Sequence, residues 1–341
     1  MSKCSSMVLV MCCFASVPAC TDAGDDAVDT GPAGPGWESA VTTTDDGSIV
    51  IQKVTYRSMG MRIFGQVCRP SGAGPYPLIV SNHGGVAGLA GWNGGACADA
   101  ARNGYIQIES SFRGQDGSDG YVELCGGEVD DTLRMLQIAL AMPQVDKARV
   151  VMWGTSLGGC VTARALQQGA PVKAAASVFG IMNMRAEYEF WRAQIAAGSG
   201  PVAQYQMLVD VANAGIGGTP DDYPEEYQRR SPIEHTGELP AGVPFLMAHG
   251  VADQIVPPKQ SCELAQRLTL PGHHYDEQHQ LITTTPVGCE TMWTASTAPI
   301  SSWSASRYLL VYDGAHVLAS GTSSIAAMDS DVKSFLTAQL R

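Results

Sequence analysis

VVMWGTSLGGC, Val150 to Cys160, sets one serine between two glycines directly after four apolar β-forming residues. Behind it comes CVTARALQQ, a helix-compatible run, so the stretch reads as strand, tight turn, helix. That context is the one in which G-x-S-x-G forms a nucleophile elbow. Gly154 and Gly158 leave room for the turn, and the turn forces Ser156 into an unfavourable backbone conformation with its hydroxyl above the sheet. The helix start offers free N–H groups and a positive dipole end to developing negative charge. The bare pattern equally describes a glycine-rich loop. Its meaning depends on what the rest of the chain supplies.

Working outward, short apolar runs recur along the sequence. Ile49–Tyr56 and Met61–Val67 are β-rich and separated by Ser-Met-Gly, which predicts an antiparallel pair. Leu78–Val80, Tyr105–Ile108, Val150–Trp153, Ala174–Phe179, Pro244–Ala248 and Tyr308–Tyr312 follow, with helical patterns between them. Val129, Leu133, Leu136 and Leu140 recur at spacings of four and three, one face of a helix. Strands alternating with helices predict an α/β fold, a mostly parallel sheet covered on both faces. Ligands in such sheets sit beyond the carboxyl ends of the strands.

A serine hydroxyl is a weak nucleophile at neutral pH and needs a base and an orienting acid. For a serine on an elbow these follow in the order acid, then histidine. His316, in VYDGAHVL, lies just past the last strand run and is the candidate base. Asp253, in HGVADQIVP, follows the run PFLMA and is the candidate acid. Asp313 is its rival, but it stands only three residues from His316 and reads as a cap or turn residue. His249 sits at a strand end before the acid, and His235 in a polar loop. His273, His274 and His279 belong to HHYDEQH, which reads as a solvated loop and suits a metal only loosely. The oxyanion hole needs two donors: the backbone N–H of Leu157 and one from the glycine loop NHGGVAG, where Gly85 is the candidate. His83 could buttress that loop or donate itself.

Length and charge bound the rest. The chain has 341 residues, 45% of them hydrophobic, enough for a sizeable core. A formal net charge of −12 argues against nucleic acid or an anionic membrane surface as the main partner. Lys3 followed by the apolar stretch Met7–Ala19 predicts a signal peptide over 1–19. VPAC, Val17–Cys20, resembles a bacterial lipobox, which implies lipidation at Cys20, though Pro18 departs from the usual small residue. Residues 20–36 are acidic and rich in Gly and Pro, the composition of a disordered tether before a domain over 37–341. The expectation is export to the bacterial envelope, as an outer-membrane lipoprotein or as a periplasmic or secreted protein. A membrane is met only through the lipid. Cys68, Cys97, Cys125, Cys160, Cys262 and Cys289 then remain in an oxidising compartment. Pairing of near segments predicts Cys97–Cys125 and Cys262–Cys289, with Cys160 a small core residue of a buried helix.

From about Ile49 onward the chain resembles the catalytic domain of the prolyl oligopeptidase family within the α/β-hydrolase superfamily, with the dienelactone hydrolase group close by. The resemblance rests on motifs in order: RPSGAGPYPLIVSNHGG, SFRGQDGSDG, GEVDD, VDKARVVMWGTSLGG, EEYQRRSPIEH and HGVADQIVP. It implies an α/β-hydrolase fold with Ser156 as nucleophile, Asp253 as acid and His316 as base. In peptidase members a tyrosine often stands where His83 does. The short stretch before the first motif leaves no room there for a peptide-anchoring propeller. Two insertions are expected near the active-site rim: a helical, lid-like segment at 184–227 with Tyr188, Phe190, Trp191 and Tyr205, and a polar segment at 270–306. The implied function is a serine hydrolase acting on a small ester or a short peptide through an acyl-enzyme, with no metal or organic cofactor. A prolyl oligopeptidase-type peptidase, a metal-dependent hydrolase using HHYDEQH and a non-catalytic surface-binding lipoprotein on the same fold are the alternatives.

Overall fold

Strand-forming runs that alternate with amphipathic helices collect into one sheet in the computed structural model, which describes residues 36–89, 95–303, 306–316 and 323–341. The expected signal peptide, Cys20 and nearly all of the expected tether lie outside the described residues. The chain opens with β1 (Ser39–Asp45), β2 (Ile49–Ser58), β3 (Met61–Pro70), β4 (Tyr76–Asn82), α1 (Gly95–Arg102) and β5 (Ile106–Ser110). It continues through α2 (Glu128–Ala139), β6 (Val145–Thr155), α3 (Leu157–Gln167) and β7 (Ala174–Val178). Three helices follow: α4 (Met184–Ala197), α5 (Val202–Ile216) and α6 (Pro224–Arg229). Then come β8 (Phe245–Gly250), α7 (Lys259–Arg267), β9 (Gly272–Tyr275), β10 (Leu281–Ile282), β11 (Arg307–Tyr312) and α8 (Ser323–Ala338).

Among the described residues, eleven strands run in the order β1-β2-β3-β5-β4-β6-β7-β8-β11-β9-β10. The first three and the β3–β5 pair are antiparallel, and every pairing from β5 through β4 to β9 is parallel. Burial explains the central strands: every residue of β7 and β8 is buried, as strands covered on both faces must be. Helices α2, α3 and α7 join one core, which contains Val129, Leu136, Val161 and Leu264. On the other face α8 packs Met328, Val332 and Phe335 against Leu246, Leu310 and Tyr312. The fold is that of an α/β-hydrolase, as the sequence implies.

Three features depart from the sequence reading. HHYDEQH is not a solvated loop throughout: His273 and His274 are buried on β9, a strand that pairs with β11 and extends the sheet. Free backbone groups at the edge of β11 favour that pairing over solvent. Cys160 is not a free core residue, and Cys97 does not pair with Cys125. Among the described residues the disulfides are Cys68–Cys97, Cys125–Cys160 and Cys262–Cys289, the last as expected. Nearness along the chain does not choose a partner for Cys97, since Cys68 and Cys125 stand almost equally far from it; α1 packs on β3, which brings Cys68 within a Cα separation of 5.6 Å.

Candidate active site

The parallel strands end together, and the loops beyond β4, β6, β7, β8 and β11 meet at one edge of the sheet. At the end of β6, Ser156 holds φ 54° and ψ −119°, a strained conformation for a side chain with a Cβ. The turn survives because its neighbours leave no alternative. Ser156 N–H donates to Val178 O at 2.8 Å, and the Ser156 carbonyl accepts from Gly159 N–H at 2.9 Å. A Cβ on Gly154 would meet Gly158 O at 2.2 Å, and one on Gly158 would meet Asn82 O at 2.0 Å. Both glycines are therefore required by close approach of backbone.

Leu157 begins α3, so its N–H lies in the first turn, where a helix supplies no acceptor. The loop after β4 runs past it: a Cβ on Gly84 would stand 3.1 Å from Ser156 Cβ. Gly85 follows at φ +77°, with open space beside it, and lines the cavity over Ser156. His83 is placed differently. Its ring packs on Phe112 with centroids 4.4 Å apart, and its Nδ1 meets Gly84 O at 3.0 Å. It is not among the residues lining the cavity, and its Nε2 is buried without a partner.

The structure brings His316 and Asp253 together. His316 Nδ1 donates to Asp253 Oδ2 at 2.5 Å, which leaves its Nε2 free to accept a proton. The Asp253 side chain is fully buried, and its Oδ1 accepts from the N–H groups of Ile255 and Val256 at 2.9 Å each. Burial raises this carboxyl, but hydrogen bonds from His249 and His316 outweigh it and hold Asp253 below the usual carboxylate range. Asp313, the rival, pairs instead with His274 at 3.1 Å.

Sequence reasoning passed over His249, which is wholly buried. Its Nε2 donates to Val256 O at 2.8 Å and lies 3.3 Å from Asp253 Oδ2, while Nδ1 accepts from Ser261 Oγ at 2.8 Å. Its place four residues before Asp253 in HGVAD was the available signal. The motifs SFRGQDGSDG and GEVDD prove to shape a wall. Arg113 forks onto Asp131 and reaches Glu123 at 2.7 Å, all largely buried. Glu128 accepts from the N–H groups of Glu123, Leu124 and Gly126, and burial pushes its carboxyl up to about 7. Together they hold Leu124 at φ 52° against the cavity.

That cavity, about 480 Å³, is bounded by Ser156, His316 and the glycine loop on one side. Ile181, Trp191, Met207, Leu208 and Ile255 make the other side largely apolar. Trp191 and Met207 come from the helical insertion, which does reach the rim. Among the described residues, the 270–306 segment contributes no lining residue: it forms β9 and β10 at the sheet edge and is tied to α7 through Cys289–Cys262.

Fold, elbow and cavity define a serine hydrolase of the α/β-hydrolase class. Residues 98–285 match the profile of the Prolyl oligopeptidase family, and the chain belongs to that family. Over 216 residues, 63% of this chain and 78% of the other, it is 27% identical to an uncharacterized peptidase, YtmA, of Bacillus subtilis (strain 168). Acetyl xylan esterase 1 from Thermoanaerobacterium sp. JW/SL YS485 shares the fold at a TM-score of 0.59 and 16% identity, with 88% of this chain and 87% of that one covered. A puromycin-hydrolyzing peptidase of Mycobacterium tuberculosis superposes at 0.59 with 18% identity, over 87% of this chain but 40% of the peptidase.

Proposed function

We propose that this serine hydrolase acts through Ser156, His316 and Asp253 on a carboxylic ester whose acyl or alcohol part is neutral and apolar. The observation that carries the proposal is the shared cavity: a serine on a strained elbow and a histidine paired to a buried carboxylate face one apolar chamber. Ser156 Oγ attacks the carbonyl carbon while His316 Nε2 takes its proton. Asp253 keeps the Nδ1 proton in place and stabilises the imidazolium. The N–H of Leu157 and the Gly84–Gly85 loop receive the oxyanion. His316 then protonates the leaving alkoxide, and water releases the acyl group by the same roles in reverse. An amide of similar shape is the second reading, favoured by the family match and the likeness to a peptidase.

Replacing Ser156 by Ala is expected to abolish turnover of an activated apolar ester and labelling by a fluorophosphonate, with the thermal transition unchanged. Retained turnover would sink the assignment. Wild-type protein that neither turns over esters nor takes the label would instead favour a non-catalytic binding role. A panel of acyl esters and aminoacyl amides of graded size then separates esterase from peptidase.

A further inference from the structure

The stretch after Asp253 is gripped from two sides. The peptide joining Gln254 and Ile255 gives its N–H to Asp253 Oδ1 at 2.9 Å, and its carbonyl accepts from Tyr205 Oη at 2.5 Å. The next peptide repeats the arrangement: its N–H goes to the same Oδ1 at 2.9 Å, and the Ile255 carbonyl accepts from Trp191 Nε1 at 3.1 Å. Each amide that holds the carboxylate is thus itself held at its far end by an aromatic donor from α4 or α5. A donor on the carbonyl polarises the same amide and strengthens the bond its N–H makes. Tyr205 and Trp191 are both buried to within 1%.

Helix α4 is in turn fixed to the chain just beyond the loop. Gln260 Oε1 accepts from the N–H groups of Met182 and Asn183 at 2.9 and 2.7 Å, at the start of α4. Its Nε2 donates to the buried Glu187 at 2.8 Å. A lid that merely covered the cavity would have no need of these attachments.

From this geometry we infer that Tyr205 and Trp191 are positioning residues for Asp253, so that the helical insertion is part of the support of the catalytic acid. The inference rests on the reading of Asp253 as the triad acid. Tyr205 does not line the cavity, whereas Trp191 does, so Tyr205 gives the cleaner test.

The experiment is a double-mutant cycle on the full chain with an activated apolar ester. Tyr205→Phe is expected to lower kcat about tenfold with KM changed less than about twofold, since it loosens geometry without removing substrate contact. In an Asp253→Asn background the same substitution should change kcat less than about twofold, because the group it acts through is gone. An unchanged kcat for Tyr205→Phe, or a loss that carries over in full into Asp253→Asn, overturns the inference while leaving the triad standing. A fully active Asp253→Asn removes the acid assignment itself. If Tyr205→Phe does not fold, Trp191→Phe runs the same cycle, with a raised KM expected in addition.

Discussion

The segments 184–227 and 270–306 carry the same expectation from sequence, a place at the rim of the active site, and among the described residues only the first lines the cavity. The difference lies in what each has to satisfy. In α4 and α5 the backbone is saturated internally, so their buried aromatics are free to serve something else. Trp191 and Tyr205 meet the carbonyls of the loop that carries Asp253. In 270–306 the backbone must find partners, and the open edge of β11 provides them through β9. Trp293 then covers Gly272, the Cys262–Cys289 bridge pins the segment to α7, and it ends as sheet rather than lid.

The comparison breaks first, if it breaks, at Trp191. Trp191→Ala removes a buried side chain, a hydrogen bond to Ile255 and part of the cavity wall. It is expected to cost about 3–5 kcal/mol of stability by urea unfolding. The same variant should lower kcat/KM at least about tenfold. A variant that loses stability alone would place Trp191 with the structural segments. Removing the bridge of the second segment, with Cys262→Ser and Cys289→Ser together, is expected to cost about 2–4 kcal/mol. Here kcat/KM of the folded enzyme should stay unchanged, and a matching loss of activity would erase the contrast.

The smallest effect concerns pH and sharpens the first half of the contrast. Glu187 is fully buried, and burial together with the charge of Asp253 holds its carboxyl well above the ordinary value of 4.5. A raised acid binds its proton more tightly in the folded chain. Its contribution is therefore fully present below pH 4.5 and is lost as pH rises through the folded value. Glu187→Gln should abolish that slope, so its gain in thermal stability over the native chain grows as pH increases from 5 to 8. A gain that is flat with pH would show that Glu187 is not carrying a proton there.

Much of this was legible in the sequence because the governing physics is local. A serine flanked by glycines, between a strand former and a helix former, needs a tight turn wherever it occurs. The alternation of apolar runs marks the central parallel strands, and position past a strand end singles out Asp253 and His316, which stand 2.5 Å apart. What remained hidden depends on which distant segments touch. His83 stands in the right loop, yet its ring turns onto Phe112 and away from the cavity. The Cys125–Cys160 bridge spans two elements whose meeting no spacing announces, and α4 and α5 carry aromatics whose partners are carbonyls more than 40 residues away. Sequence by itself determined the central strands of the sheet, the elbow and the candidate acid and base, since turn strain and hydrophobic period act over a few residues. Tertiary structure alone decided the Cys68–Cys97 and Cys125–Cys160 bridges, the fate of the two insertions and the grip on Asp253, because buried groups pair by proximity in space.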